Sequence, residues 1–560
     1  MSKQFFVPVC TLLAEKSPQA LPLGAACIVT GIQTYFEKNH LKIGTVTSKL
    51  SVFEYSATPI HRQTEAIAQR LLQDAPFALC FSLYLWNRPV LEQAARIVKR
   101  INPAVYLIAG GPEVTAGSLQ DHPFDFLVAG EGEIAVPQLL HKLITLQNSQ
   151  QQTAKENLPE QYVRSNRIPY EQLTSPYLSG VLNPQDYQGG ALWELARGCP
   201  FKCAYCYESK GEKTVSYFPV ERIKKELEFF AEKKVVQVFV LDPTYNAQKN
   251  RALEILNLIK TITPHTFYHF ECRAEFLNPE MAKAFSHIPC SLQIGLQSAH
   301  ENVLKLVDRS FNKKDFIKKI NMLNQQGVVF GFDLIYGLPQ DTLQGFRESI
   351  DFAISLYPNS LELFRLAVLP GTTLFDKKDL LGLTAQQEPP YLVQSTETFS
   401  PHHLEQAEKL ARATSLFYTA GRAVPWFHSV LTPLRCKPSR FFESFAQFLE
   451  EKHRSVNTAT TTYPQKDIEE LQVQFVSKEY KEKKLSHLLP VALDLIRLQG
   501  AFSRAYADGE TTVLHLTYHP EDLFSPYAQD VVFFQKGAKK SPLKIKVYPH
   551  KKGPQWKNLK

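Results

Sequence analysis

No stretch of the 560 residues approaches the ~18 uninterrupted apolar residues that a membrane-spanning helix needs, so none is expected. The opening segment, MSKQFFVPVCTLLAEKSPQA, lacks the apolar h-region and small-residue cleavage site of a secretory signal. The expected compartment is therefore the cytoplasm. Nine cysteines is an odd number, which argues against a disulfide framework. A chain this long buries enough core to fold without one. Acidic residues are missing from Lys536 to Lys560, where nine lysines stand. The whole chain carries +8, so the remainder is close to neutral. A solvated, mobile basic tail is the expectation there. Such a tail lacks the fold of a nucleic-acid-binding domain, and nucleic acid is not an expected partner. Hydrophobic residues at 44% and aromatics at 11% exclude disorder as the main state.

Six cysteines are scattered: Cys10, Cys27, Cys80, Cys272, Cys290 and Cys436. They read as small buried hydrophobes, with a catalytic role for Cys436 as the lesser alternative. The other three, Cys199, Cys203 and Cys206, sit together in ELARGCPFKCAYCYESKG. Gly198 and Pro200 bend the chain around the first thiol. Ala191–Ala196 reads as a buried strand before this loop and Pro219–Lys233 as a helix after it. Three thiolates in one loop suit zinc or an iron–sulfur cluster. Zinc would need a fourth ligand, yet His265 and His269 are distant in the chain and no second C-x2-C exists. On a [4Fe-4S] cluster, three thiolates leave one iron open, which is a catalytic arrangement.

From about residue 190 to 375, strand-like and helix-like segments alternate. Strands are expected at Val235–Leu241, Thr266–Glu271, Ser291–Gly295, Val328–Ile335 and Ser360–Ala367, with helices such as Asn250–Ile262 and Lys313–Gln326 between them. The rhythm implies parallel βαβ units closing into a partial TIM-like barrel, with its site at the strands' carboxyl ends. Residues 1–145 alternate too: Phe5–Leu12, Lys42–Thr47, Phe77–Ser82, Ala104–Gly110 and Asp125–Val128 read as strands, Val90–Lys99 as a helix. That is a doubly wound, flavodoxin-like α/β pattern. Gly110-Gly111-Pro112-Glu113 and Gly130-Glu131-Gly132-Glu133 follow two of its strands, where glycine lets a ligand approach the backbone.

The cysteine spacing, with Tyr205 before the last thiol, resembles the hallmark of the radical S-adenosylmethionine (SAM) superfamily. The resemblance implies a [4Fe-4S] cluster held by Cys199, Cys203 and Cys206, whose open iron binds SAM for reductive cleavage. Further residues follow the family's order. Asp242 resembles the position that accepts a hydrogen bond from the SAM amino group, against a turn or helix-cap aspartate. Arg273 resembles a position lining the site, against a surface ion pair. Gly295-Leu296-Gln297-Ser298 resembles the Gly-Ile-Glu-Ser turn, which makes Gln297 and Ser298 expected SAM contacts. Val303, Leu304 and Arg309 keep the "VL…R" spacing, and Arg309 is expected to pair with the SAM carboxylate. Asp333–Pro339 and Leu369–Thr372 match the endings of the fifth and sixth strands.

The first domain resembles the cobalamin-binding (B12-binding) branch of that superfamily, through Leu21–Gly24, Phe81–Tyr84 and Gly110–Glu113. The resemblance implies that Ser82, Gly110 and Gly111 seat cobalamin. No Asp-x-His-x-x-Gly follows the first strand, so a lower axial histidine is not expected, and His40 reads as a helix end. The expected organisation is a cobalamin-binding-type domain over 1–145, a linker over 146–185 and a radical SAM core over 186–378. A mainly helical C-terminal region over 379–535 and the basic tail over 536–560 follow. The expected function is reductive SAM cleavage with cobalamin-dependent methyl transfer to an unactivated carbon. Cobalamin-independent radical rearrangement, cyclisation or methylthiolation is the alternative, and a zinc-stapled nucleic-acid-binding scaffold the remote one. An electron donor of flavodoxin or ferredoxin type is the expected partner, beside a substrate the motifs do not specify.

Overall fold

Buried strands with helices on both faces make up the N-terminal region. In the computed structural model, which describes residues 3–41, 44–56, 58–148, 160–165, 169–208, 214–452 and 463–559, six strands form the first sheet. They are β1 (Lys3–Leu13), β2 (Gly44–Glu54), β3 (Ala78–Ser82), β4 (Tyr106–Gly110), β5 (Phe126–Ala129) and β6 (Tyr162–Arg164). All pair in parallel, in the order β2-β1-β3-β4-β5-β6. Side-chain parity along β1 divides the core: Phe5, Val7 and Val9 pack on one face, Cys10 and Leu12 on the other. Helices Leu23–Lys38 and Gly132–Asn148 cover the first face, and Ile60–Leu72 and Arg88–Ile101 the second. The order reverses at β1 and β3, so a ligand crevice is expected at their carboxyl ends. The strand expected at Lys42–Thr47 begins at residues outside the described set and runs on to Glu54. Of the expected Gln-rich linker start, residues 149–159 also lie outside the described set, and the helix ending at Asn148 enters it.

The chain divides into two units, one of residues 1–292, 307–309 and 367–393, the other of 293–306, 310–366 and 394–560. Besides the first sheet, the first unit holds β7 (Gly190–Trp193), the short antiparallel pair β8 (Ala196–Arg197) and β9 (Ser216–Tyr217), β10 (Gln237–Val240) and β11 (Phe267–Cys272). β7 pairs with β10, and β10 with β11, all in parallel. β12 (Cys290–Gln297) begins in the first unit and ends in the second, where β13 (Val329–Tyr336) pairs in parallel with β14 (Ser360–Arg365). These six long strands run in the order β14-β13-β12-β11-β10-β7, a partial (β/α)6 barrel. The strand expected over Ala191–Ala196 is broken after Trp193, because Glu194 and Leu195 turn the chain into β8.

Past β15 (Thr384–Ala385) and β16 (Val393–Ser395), the second unit is mainly helical: Pro401–Thr414, Pro438–Glu451, Gln465–Glu482 and Leu489–Ala507. Phe417 lies at the centre of an aromatic core, its ring 4.9 Å from Phe445 and 5.1 Å from Phe441. Three sequence expectations change here. Val531–Phe534 reads as a strand but forms a helix, Val531–Gly537, because the Asp530 carboxylate caps the amides of Val532 and Phe533. The basic stretch is not a loose tail: β18 (Leu543–Tyr548) and β19 (Gln555–Leu559) pair antiparallel with β17 (Thr512–Leu516). Cys436 is only half-buried, unlike the other five scattered thiols. The expected surface loop Thr458–Pro464 falls largely outside the described residues. Among the described residues no helix is long and apolar enough to cross a membrane.

Candidate functional site

The three-cysteine loop is held at its feet and in its middle. At the feet, β8 pairs with β9, and Phe218 N–H donates to the Leu195 carbonyl at 3.0 Å. Arg251 donates to the carbonyls of Leu195 and Phe218 at 3.3 and 2.7 Å. Gly198 turns the chain with φ +90°, a conformation that costs glycine little. In the middle, Ala204 N–H donates to Val307 O at 3.0 Å and Ala204 O accepts from Leu374 N–H at 2.8 Å. Cys206 N–H closes a turn onto Cys203 O at 3.0 Å. Cys199 is buried, with its Sγ 3.8 Å from Thr244 Oγ1, while Cys203 and Cys206 are half-buried.

Two guanidinium groups meet at Cys203. Arg273 Nη1 lies 3.8 Å from its Sγ and Arg309 Nη1 4.0 Å. Arg273 stacks 3.7 Å over the Phe201 ring and pairs with Glu275; Arg309 also reaches Tyr205 Oη at 3.5 Å. Arg273 is therefore not the surface ion pair that a lone arginine suggests. Among the described residues no three Cys, His, Asp or Glu side chains converge as a cage for a single ion.

Asp242, expected as a SAM contact, turns one oxygen back to the loop. Its Oδ1 accepts from the amides of Leu195 and Ala196 at 2.8 and 3.0 Å. Burial pushes its pKa up to about 7 against the pull of those two amides. In the second unit, Gln297 holds φ +67° and its buried Oε1 has no hydrogen-bond partner. A strained residue with an orphaned acceptor is a mark of function. Ser298 is fully buried; its Oγ accepts from His300 N–H at 3.2 Å and sits 3.5 Å from Ser349 Oγ. Its hydroxyl is thus engaged at a helix start.

A cavity of about 1010 Å³ lies within the first unit, at the carboxyl ends of both sheets. Ser82, Gly110 and Gly111 line it on one side; Gly198 and Tyr207, on either side of the cysteine run, line it on the other. Ser82 and Gly110 are direct cross-strand partners. At Gly111, φ is +106° and a Cβ would stand 2.5 Å from Leu83 O. A Cβ on Gly24 would collide with Tyr84 Oη. Tyr84 stacks on Trp86, centroids 4.4 Å apart, and both rings line the cavity. Glu113, by contrast, is turned into a buried network: Arg88 and Tyr391 both bond its Oε2, at 3.1 and 2.8 Å.

Sequence reading missed a second network in the cavity wall. Arg197 bonds Glu133 and Glu194, each at 2.8 Å, and lies 3.9 Å from Glu131. Tyr170 Oη donates to Glu131 Oε1 at 2.6 Å, while the buried Oε2 of Glu131 has no partner. The only sequence signal was the Gly-Glu-Gly-Glu turn, which does not name its partner.

Residues 193–353 match the model of the Radical SAM superfamily, and residues 46–140 match that of the B12 binding domain. The chain carries a radical SAM domain and a B12-binding domain. The cysteine loop falls in the radical SAM match, and Ser82, Gly110 and Gly111 fall in the B12-binding match. Among curated relatives, the cobalamin-dependent radical SAM methyltransferase TokK of Streptomyces tokunonensis is 27% identical over 63% of this chain and 54% of its own length. The 2-(S-pantetheinyl)-carbapenam-3-carboxylate methyltransferase of Streptantibioticus cattleyicolor is 26% identical over 55% of this chain and 49% of its own. The chain thus spans about half the length of these two relatives. Two solved structures share the fold. OxsB with aqua-cobalamin matches at TM-score 0.57 and 13% identity over 89% of this chain and 80% of its own. TsrM from Kitasatospora setae, with cobalamin and a [4Fe-4S] cluster, matches at TM-score 0.53 and 13% identity over 86% of this chain and 100% of its own.

Proposed function

We propose that this radical SAM protein is an enzyme that binds a [4Fe-4S] cluster, SAM and cobalamin, and transfers a methyl group to an unactivated carbon. The observation that carries the reading is the single cavity reaching both the glycine-lined strand ends of the B12-binding sheet and both sides of the cysteine run. Methyltransferase is also the activity named for the two curated relatives. When bound, the three groups supply a hydrogen-abstracting radical and a methyl carrier.

The residues fit those groups. Cys199, Cys203 and Cys206 are the cluster ligands, and Arg273 and Arg309 bring positive charge to Cys203. Gly111 and Gly24 let the cavity wall pack closely, since a Cβ there would strike Leu83 O and Tyr84 Oη. The orphaned Glu131 Oε2 is an acceptor suited to the amide-rich rim of cobalamin. Gln297 Oε1, in the second unit, is a second orphaned acceptor. Arg309 remains the partner for the SAM carboxylate, whereas Asp242 serves by fixing the loop's first foot. The Tyr84–Trp86 stack presents an apolar wall that limits water.

Anaerobic reconstitution with iron, sulfide and hydroxocobalamin, followed by desalting and metal analysis, tests the reading. It predicts about four irons per chain with stoichiometric cobalt. Iron without cobalt would sink the cobalamin assignment, and absence of both would sink the whole proposal.

A further inference from the structure

Residues 367–393, all in the first unit, form a loop closed on itself. Ala367 bridges Leu392, and Val368 N–H donates to Tyr391 O at 2.9 Å. This loop grips the cysteine run at two points. Leu374 N–H donates to Ala204 O at 2.8 Å, between Cys203 and Cys206, and Gly371 lies against Tyr207, the residue after Cys206. It also grips the short helix Pro112–Thr115 at two points. Gly371 lies against Ala116 at the helix end, and Tyr391 Oη donates to Glu113 Oε2 at 2.8 Å.

Helix Pro112–Thr115 in turn fastens both glycine turns of the cavity. Thr115 Oγ1 donates to Gly111 O at 3.1 Å and accepts from Gly130 N–H at 3.0 Å. Three segments therefore meet at Gly371. Its φ is +78°, and a Cβ there would stand 3.1 Å from Tyr207 Cε2 and 3.2 Å from Ala116 Cα. The Tyr207 ring can yield, but Ala116 is backbone, so a side chain at 371 drives the helix and the cysteine run apart. Leu369 and Pro370, beside it, line the cavity together with Gly110, Gly111 and Tyr207.

We propose that Gly371 and Tyr391 are positioning residues that couple the two ends of the cavity. The closed loop sets the cysteine run against helix Pro112–Thr115, so a ligand that orders the glycine turns also orders the cysteine run. The coupling rests on the reading that the cavity holds cobalamin and a [4Fe-4S] cluster. Its path is a continuous chain of contacts: Gly111 to Thr115, Ala116 to Gly371, Gly371 to Tyr207 and Leu374 to Ala204. Tyr391 holds the far end of the loop to the same helix, so the loop cannot swing away from it. Linkage makes the effect mutual: whatever cobalamin does for the cluster, the cluster does for cobalamin.

The test uses the full-length chain, reconstituted anaerobically with iron and sulfide or left iron-free, beside Gly371→Ala and Tyr391→Phe. Hydroxocobalamin binding is measured by absorbance titration, and iron loss to a chelator is timed with and without hydroxocobalamin. In the wild type, the iron-bearing chain is expected to bind hydroxocobalamin about fivefold or more tightly than the iron-free chain. Hydroxocobalamin also slows iron loss. In both variants each cofactor still binds alone, while the ratio of the two affinities falls toward one. A loop that merely stabilises the fold would weaken both affinities alike and leave that ratio unchanged. A ratio of one in the wild type overturns the proposal, as does a wild-type ratio in both variants. Tyr391→Phe keeps the ring, so it decides the case in which Gly371→Ala fails to fold. A wild-type chain without cobalt or without iron after desalting refutes the cofactor reading and the coupling with it, and metal analysis tells that failure from a lost ratio.

Discussion

At Cys203 the three-cysteine loop meets its charged surroundings: it is half-buried and has two guanidinium groups within 4.0 Å. Replacing it with alanine removes one of the three proposed cluster ligands but no buried apolar packing. Cys203→Ala is expected to lose nearly all reconstituted iron and all SAM cleavage, while the circular dichroism of the B12-binding sheet persists. Retained SAM cleavage would refute the ligand assignment. Asp242 supports a prediction of another kind. Its carboxyl titrates near 7 when folded, against about 4 for a free aspartate. The folded state thus holds its proton more tightly, so the stability this group contributes is full below about pH 4 and is lost as pH rises through 7. Asp341 and Asp494, each raised to about 6 by burial, slope the same way, so only a comparison isolates Asp242. Asp242→Asn keeps an acceptor for the amides of Leu195 and Ala196 and removes the titration. Its unfolding free energy should run flatter between about pH 4 and 7, by at most about 1.4 kcal/mol per pH unit. Parallel curves for wild type and variant would refute the assignment. The thiols were legible because their spacing is local. Arg273 and Arg309 were legible only through the family's order of motifs, and a sequence offers no distance between them and Cys203.

Among elements, the segment 367–393 differs most from its sequence reading. It overlaps Leu380–Pro401, whose Pro, Gln and Thr content reads as a boundary, and the C-terminal region is expected to open at residue 379. Residues 367–393 instead belong to the first unit, and Tyr391, 2% exposed, ties them to the B12-binding domain. Arg88 Nη1 donates to Tyr391 Oη at 2.8 Å, and that hydroxyl donates to Glu113 Oε2 at the same distance. The Glu of Gly-Gly-Pro-Glu is therefore a structural anchor, and its glycines are the cavity wall. Tyr391→Phe leaves Arg88 and Glu113 paired with each other and removes the phenol that both use. A cost of about 1–2 kcal/mol is expected, chiefly as looser attachment of this segment. Limited trypsin digestion should then cut at Lys377 or Lys378 several-fold faster, and an unchanged rate would refute the tie. Strand and helix identities were read well where periodicity was sustained, as in helix Lys313–Gln326. The short run VVFF was misread because a few apolar residues fit either period, and only the Asp530 cap decides.

At the scale of the whole molecule, charge and core are not separate parts of the chain. The basic stretch was set aside as a tail because nine lysines in a row of polar neighbours look solvated. The signal that contradicts this is an alternation, Leu543-Lys544-Ile545-Lys546-Val547, with period two and every second residue inward. Ile545 and Val547 are fully buried, and their strand packs on helix Leu489–Ala507. Deleting residues 539–560 is therefore expected to lower the thermal midpoint of the second unit, not merely the isoelectric point. Ile545→Ala should cost about 2–5 kcal/mol, as large-to-small core changes do. The glutamine triple at Lys544, Lys546 and Lys557 should stay within about 0.5 kcal/mol of wild type, because those side chains face outward. Iron uptake should survive the deletion, since Cys199, Cys203 and Cys206, the proposed cluster ligands, belong to the first unit. Calorimetric melting together with iron analysis on the three proteins checks the set. A deletion that melts like wild type would restore the loose tail and remove the rigid surface on which the lysines are displayed.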